Sequence, residues 1–165
     1  LYNVTSRTSL NMTHDTTLRL SQMDNIVGIK EAGSDLDQVA RIINGSPEGF
    51  KVWSGNDNET FHIMSMGGYG VVSVASHLVG NQIKAMMGML LDGEVEKAGV
   101  EHRRLLALFK VLFVESNPIP VKYALNQVGL DVGSPRLPLI LPNDKSASEI
   151  DQVLQDYEID LPVDR

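Results

Sequence analysis

The sequence predicts an α/β fold in two parts, four strand–helix units over residues 1–92 and an all-helical part over 93–165. Two observations carry that reading. In the first part, short β-branched runs alternate with stretches whose apolar residues recur at helical spacing, the pattern of a parallel sheet with crossover helices. At Asp92-Gly93 the β-branched runs stop and long helical periodicity takes over.

Each element has its own signal. Leu1 to Val4 reads as a strand end, followed by a polar loop through Asn11. A short helix is expected from about Asp15 to Gln22, with Thr13 or His14 near its cap. Asn25-Ile26-Val27-Gly28-Ile29-Lys30-Glu31-Ala32 reads as a strand buried on both faces. Ser34-Asp35 can cap a helix whose apolar positions are Leu36, Val39, Ala40 and Ile43, ended by Gly45-Ser46-Pro47. Phe50 to Trp53 is the next strand, and Asn56-Asp57 the cap of a helix turning Phe61, Met64 and Ser65 inward. Gly67-Gly68 breaks that helix. Gly70 to Ala75 is a fourth buried strand, with a helix from about Asn81 to Leu91. Beyond it, a long helix spans Glu94 to about Leu112, with Val100, Leu105, Leu108, Phe109 and Leu112 among its apolar positions. Another runs from Ile119 to Val128, opened by Pro118 and Pro120, which suit a first turn. Ser146-Ala147-Ser148-Glu149 reads as the capping box of a last helix ending near Tyr157.

Composition removes several functional classes. Hydrophobic residues make up 42% of the 165, enough for a core. The net charge of −7 leaves no electrostatic footprint for nucleic acid or an anionic membrane surface. There is no cysteine, hence no disulfide framework, thiol nucleophile or thiolate metal site, which fits a reducing cytoplasm. No apolar stretch approaches the ~20 residues that span a bilayer. His14, His62, His77 and His102 show no metal-ligand spacing. The chain opens on Leu1 inside an apparent strand and reads as part of something longer.

Lys30 is the most informative single residue. It closes an apolar run, where burial penalises an ammonium ion, and a neutral amine can form a Schiff base with a carbonyl. Taken alone, it reads first as a strand-end lysine snorkelling to water, since buried lysines are rare. In parallel α/β folds, chemistry gathers at the C-terminal ends of strands. There the sequence offers Tyr2 to Arg7, Lys30-Glu31, Ser54-Gly55-Asn56 and Val72-Ser73. If the strands are parallel neighbours, Tyr2 and Lys30 converge. A tyrosine hydroxyl can then shuttle protons, and an arginine such as Arg7 can grip a carboxylate. Glu31 points to the opposite face and reads as structural.

These segments resemble the dihydrodipicolinate synthase family. The resemblance rests on Tyr2-Asn3-Val4-Thr5-Ser6-Arg7-Thr8, Gly28-Ile29-Lys30-Glu31-Ala32, Ser54-Gly55-Asn56-Asp57 and Gly70-Val71-Val72-Ser73-Val74. It continues in Phe113-Val114-Glu115-Ser116-Asn117-Pro118-Ile119-Pro120-Val121-Lys122. What it implies is a lyase built on the last four βα units of a TIM (β/α)8 barrel followed by a small helical domain. In that family pyruvate condenses with L-aspartate 4-semialdehyde on the way to lysine through diaminopimelate. Lys30 would form the imine with pyruvate, Tyr2 would relay protons and Arg7 would bind the aldehyde's carboxylate. Val72 would line the pyruvate pocket, while Gly55 and Asn117 would help hold the second substrate or position Arg7. The resemblance implies no metal or organic cofactor, and a cytoplasmic homo-oligomer, the tetramer being the family's form.

Thr5 stands where the family usually has proline, and Ser9 where glycine is common, both on the Arg7 loop. The chain also resembles only the last half of the family's barrel, whose first half supplies a threonine pair for the pyruvate carboxylate, a tyrosine from a neighbouring subunit and a lysine-feedback site. Little turnover is therefore expected of these residues alone. Two alternatives stand beside the synthase: a sister pyruvate-dependent aldolase acting on keto-deoxy sugar acids or N-acetylneuraminate, and an inactive module serving only in oligomerisation.

Overall fold

The computed structural model describes residues 1–160. They pack as two compact units, residues 1–73 with 90–93, and residues 74–89 with the chain from 94 onward. These units do not coincide with the sequence-derived division at 92/93, because most of the helix that follows the fourth strand packs with the later helices.

The first unit is a four-stranded parallel sheet in strictly sequential order, β1 (Tyr2–Asn3), β2 (Gly28–Glu31), β3 (Lys51–Ser54) and β4 (Gly70–Val71). Sequential order without reversal is the arrangement of a barrel wall rather than of a doubly wound sheet. Helices α1 (Thr5–Thr8) and α2 (His14–Leu20) follow β1, and α3 (Leu36–Gly45) follows β2. A 3₁₀ turn (Asp57–Glu59) and α4 (Thr60–Ser65) follow β3.

Alternation along the strands divides the sheet into unlike faces. Ile29 and Val52 point toward the helices and form the core with Val39, Ile42 and Ile63, flanked by Met12, Ile43, Phe50 and Met66. The opposite face carries Tyr2, Lys30 and Trp53 and is only partly covered. Within the described residues the helix-facing side of the sheet is the more completely buried of the two.

Several local expectations change. The loop after β1 contains the single-turn helix α1, whose C-cap Ser9 sits at φ 55°, a conformation glycine adopts without penalty. Asp35 caps α3 by accepting the Gln38 amide, but the buried face is Gln38, Val39 and Ile42, with Ala40 exposed. In α4 it is Thr60, Ile63 and Met64 that face inward, not Phe61 and Ser65. Asn56 gives no side-chain cap; its amide donates to Glu59 and Ser34 instead. The fourth strand keeps sheet pairing only through Val71, because the chain leaves the ladder before Ser73.

The second unit is helical: α5 (Ser76–Leu91, bent at Val79), α6 (Val95–Val111), α7 (Ile119–Gln127) and α8 (Asp144–Leu154). Leu105, Leu108, Phe109, Leu112, Ala124, Leu125 and Ile150 are buried, whereas Val100 faces solvent. The last helix starts earlier than its apparent capping box, because the Asn143 side chain accepts the Ser146 amide and Ser146 lies buried within the helix. Tyr157 ties the chain after α8 to α6, donating to the Arg104 carbonyl (2.6 Å) and accepting the Leu108 amide (3.3 Å). Among the described residues no helix is long and apolar enough to cross a membrane.

Candidate active site

Parallel pairing places Tyr2 beside Lys30 and Lys30 beside Trp53 at the C-terminal ends of three adjacent strands. Same-face neighbours in adjacent strands stand close enough to touch, and these do. The Lys30 amine lies 4.2 Å from the centre of the Tyr2 ring, over its face, in cation–π geometry. Tyr2 is 45% exposed and Lys30 half-buried.

Two glycines shape the space around that amine. At Gly28 a methyl group would run into the Trp53 ring and the Lys51 carbonyl, so only glycine leaves room there for the indole. The indole in turn meets Tyr69 edge-on, with centroids 5.3 Å apart. At Gly55 a methyl group would come within 2.7 Å of the Ala32 Cβ, 3.0 Å of the Glu31 carbonyl oxygen and 3.1 Å of the Lys30 Cε. Gly55 thus gives the lysine stem its clearance. The backbone is pulled in there because the Gly55 amide donates to that same Glu31 carbonyl at 2.7 Å.

Val72 is 48% exposed and, two residues beyond Gly70, falls on the Lys30 face; its amide still donates to the Ser54 carbonyl at 2.9 Å. Arg7 lies in the last turn of α1, exposed, on the segment that leaves β1 after Tyr2-Asn3. Tyr2, Lys30, Gly55 and Val72 therefore share one sheet face, with Arg7 on the adjoining segment. Asn117 belongs to the second unit, in the turn before α7.

Behind this face lies a polar layer that includes groups the residue types alone did not mark out. Asn3 and Glu31, paired across β1 and β2, point toward the helices and are 2% and 1% exposed. The Glu31 carboxylate accepts from the Gly33 amide (2.7 Å) and Asn3 Nδ2 (2.8 Å) through Oε1, and from Gln38 Nε2 (3.3 Å) through Oε2. Among the described residues no salt bridge joins it. Burial pushes its carboxyl above the usual carboxylate range; the hydrogen bonds from Gly33, Asn3 and Gln38 offset that only in part, and the charge of Glu59 adds to it. Gln38 was concealed because a polar residue in an amphipathic helix is ordinarily assigned to solvent. The available signal was that it lies one residue before Val39 and four before Ile42, on the buried stripe.

A parallel sheet in sequential order, with a lysine and a tyrosine at the C-terminal ends of its strands and an arginine on the adjoining segment, defines the class: a barrel-type α/β protein. Comparison with known proteins narrows it. The dihydrodipicolinate synthetase family matches residues 1–157. A 4-hydroxy-tetrahydrodipicolinate synthase from Dehalococcoides mccartyi is 54% identical over 99% of this chain and 55% of its own length. Among solved structures, dihydrodipicolinate synthase from Cyanidioschyzon merolae with lysine bound superposes with a TM-score of 0.92 at 42% identity. That match covers 94% of this chain and 53% of the other. The synthase from Acinetobacter baumannii complexed with pyruvate gives a TM-score of 0.90 at 32% identity, covering 94% and 54%. The chain belongs to the dihydrodipicolinate synthetase family. Its fold is that of the last four βα units of a TIM barrel followed by helices, and it spans about half the length of the curated relatives it matches.

Proposed function

We propose that this chain supplies the imine-forming lysine of a 4-hydroxy-tetrahydrodipicolinate synthase, which condenses pyruvate with L-aspartate 4-semialdehyde in lysine biosynthesis. The observation that carries the reading is the Lys30 amine 4.2 Å over the Tyr2 ring, on the partly open face of the sheet. Lys30 Nζ adds to the ketone carbon of pyruvate, and loss of water leaves an iminium. That cation is an electron sink, so a methyl proton departs and the resulting enamine attacks the aldehyde carbon. Tyr2 relays the protons of imine formation and hydrolysis. Arg7 holds the carboxylate of the aldehyde substrate, a group that guanidinium binds through two parallel hydrogen bonds. Val72 lines the pyruvate side. Gly55 keeps the lysine stem clear, and Asn117 assists the second substrate by family likeness alone. The chemistry is covalent on the protein and calls for no cofactor. A homo-oligomer, tetrameric as in the resembling family, acting in the cytoplasm, completes the reading.

Imine formation is the step to test on this chain. Incubation with pyruvate followed by borohydride reduction should leave a pyruvate-derived adduct that mass spectrometry maps to Lys30, and Lys30→Ala should abolish it. An adduct mapped elsewhere, or none when these residues stand in a full-length chain, overturns the assignment. Competition separates the substrate classes: if sugar-acid aldehydes consume the enamine and aspartate semialdehyde does not, the protein is a sister aldolase.

A further inference from the structure

The polar layer behind Lys30 raises a question that the proposed chemistry leaves open. Glu31 is buried without a cationic partner, an arrangement that costs folding stability unless hydrogen bonds compensate it, and here the burial outweighs them. Its surroundings show what the carboxylate holds. Asn3 Oδ1 accepts the Met12 amide at 3.0 Å, which fixes the orientation of the Asn3 amide. Asn3 Nδ2 then donates both to Glu31 Oε1 and to Asn11 Oδ1, each at 2.8 Å. That orients Asn11, whose Nδ2 donates to Gln38 Oε1 at 3.0 Å. Gln38 Nε2 is left pointing at Glu31 Oε2, the Met12 carbonyl and Asn11 Oδ1, each 3.3 Å away.

Direction therefore propagates from one backbone amide through three side-chain amides and arrives at position 31 as donors only. A carboxylate accepts through both oxygens and suits that position. Glutamine at position 31 would face one of those donors with its own NH₂. The residues joined are also informative. Asn3 begins the excursion from β1 and bonds Glu31 at the end of β2; Asn11-Met12 end it and reach Glu31 through Asn3 and Gln38, and Arg7 lies between them.

We propose that Glu31 is a positioning residue for the second substrate: with Asn3, Asn11 and Gln38 it staples both ends of segment 4–12 behind β2 and so fixes where Arg7 offers its guanidinium to that substrate's carboxylate. This rests on the synthase reading for the identity of the substrate. The staple acts from the helix side of the sheet and Lys30 from the other, so it governs the second substrate and not the imine.

The test uses Glu31→Gln and Gln38→Met in the whole chain, with three readouts. Amide exchange of residues 9–12 should speed up about tenfold, the equivalent of one hydrogen bond to a charged group. Borohydride trapping of pyruvate at Lys30 should be unchanged. Aspartate semialdehyde binding, measured on chain already carrying the reduced and therefore unreactive adduct, should weaken about tenfold as well. Unaltered exchange in both variants overturns the staple. Faster exchange with unaltered aldehyde affinity shows a structural brace only and overturns the positioning role. Loss of trapping in the variants overturns the separation between the two faces. Failure to trap pyruvate when the unsubstituted residues stand in a full-length chain defeats the synthase reading instead, and the staple is then decided by exchange alone.

Discussion

Ile29 and Glu31 lie two residues apart on one strand, point to the same side of one sheet and are equally buried, at 0% and 1% exposure. Ile29 belongs to an apolar layer with Val39, Ile42, Val52 and Ile63. Glu31 belongs to a layer of amides at the C-terminal ends of the strands. The first gains free energy from every methylene removed from water. The second gains little net stability, since each hydrogen bond replaces one made to water and the charge must be desolvated. Equal burial thus serves two purposes. The lower layer holds the sheet to its helices, and the upper one ties the segment after β1 to Glu31 and Gln38.

The sharpest way to separate the layers is a truncation in each. Ile42→Ala should cost about 2–5 kcal/mol in urea unfolding, the range for a large aliphatic side chain deleted from a packed core. Its effect on local exchange at residues 9–12 should be small by comparison. Asn3→Ala should cost less, about 1–3 kcal/mol, because it leaves the Met12 amide without its side-chain acceptor and takes one donor from Glu31. If the two costs came out reversed, the division of labour between the layers would be wrong.

Gly55→Ala probes the other face. The added methyl is crowded by Ala32 and the Glu31 carbonyl as well as by Lys30, so overpacking should cost about 1–3 kcal/mol. Pyruvate trapping should slow by more than this loss of folded protein explains, because the lysine stem must move. Equal trapping rates per folded molecule would show that the clearance at Gly55 is irrelevant to the amine.

The smallest expected effect is a pH slope. Glu31 holds its proton more tightly in the folded than in the unfolded chain, because burial raises its folded value. Its contribution to stability is therefore fully present below the ordinary glutamate range and is lost as pH rises through the raised folded value. Glu31→Gln should remove that decline, which chemical unfolding at a series of pH values would show as a flatter profile than the unsubstituted chain. An unchanged slope would mean that Glu31 is as well solvated as an ordinary carboxylate.

Much of the fold was legible because periodicity reports burial directly. The strands around Ile29 and Val52, the caps at Thr13 and Asp35 and the long helix α6 all follow from local pattern. Errors arose where a residue's type and its environment disagree. Gln38 is polar yet buried, Val100 apolar yet exposed, and Val72 and Val74 β-branched yet beyond the end of β4. In the candidate site, Lys30 and Tyr2 could be placed together once the strands were taken as parallel neighbours, since each stands at a strand end. The link from Glu31 to the Arg7 segment could not be read in this way, because it joins four side chains from three separate stretches of chain.

By itself the sequence determined the alternation of strand and helix, the family and the identity of the nucleophile candidate, because these depend on local spacing and ordered motifs. The tertiary structure decided that Lys30 and Tyr2 meet on one face, that Gly55 leaves room for the lysine stem, and that a buried carboxylate with Asn3 and Gln38 links the ends of the Arg7 segment. Those are properties of distances between segments far apart in the chain, and the energy of a buried polar group depends on the partners that folding brings to it.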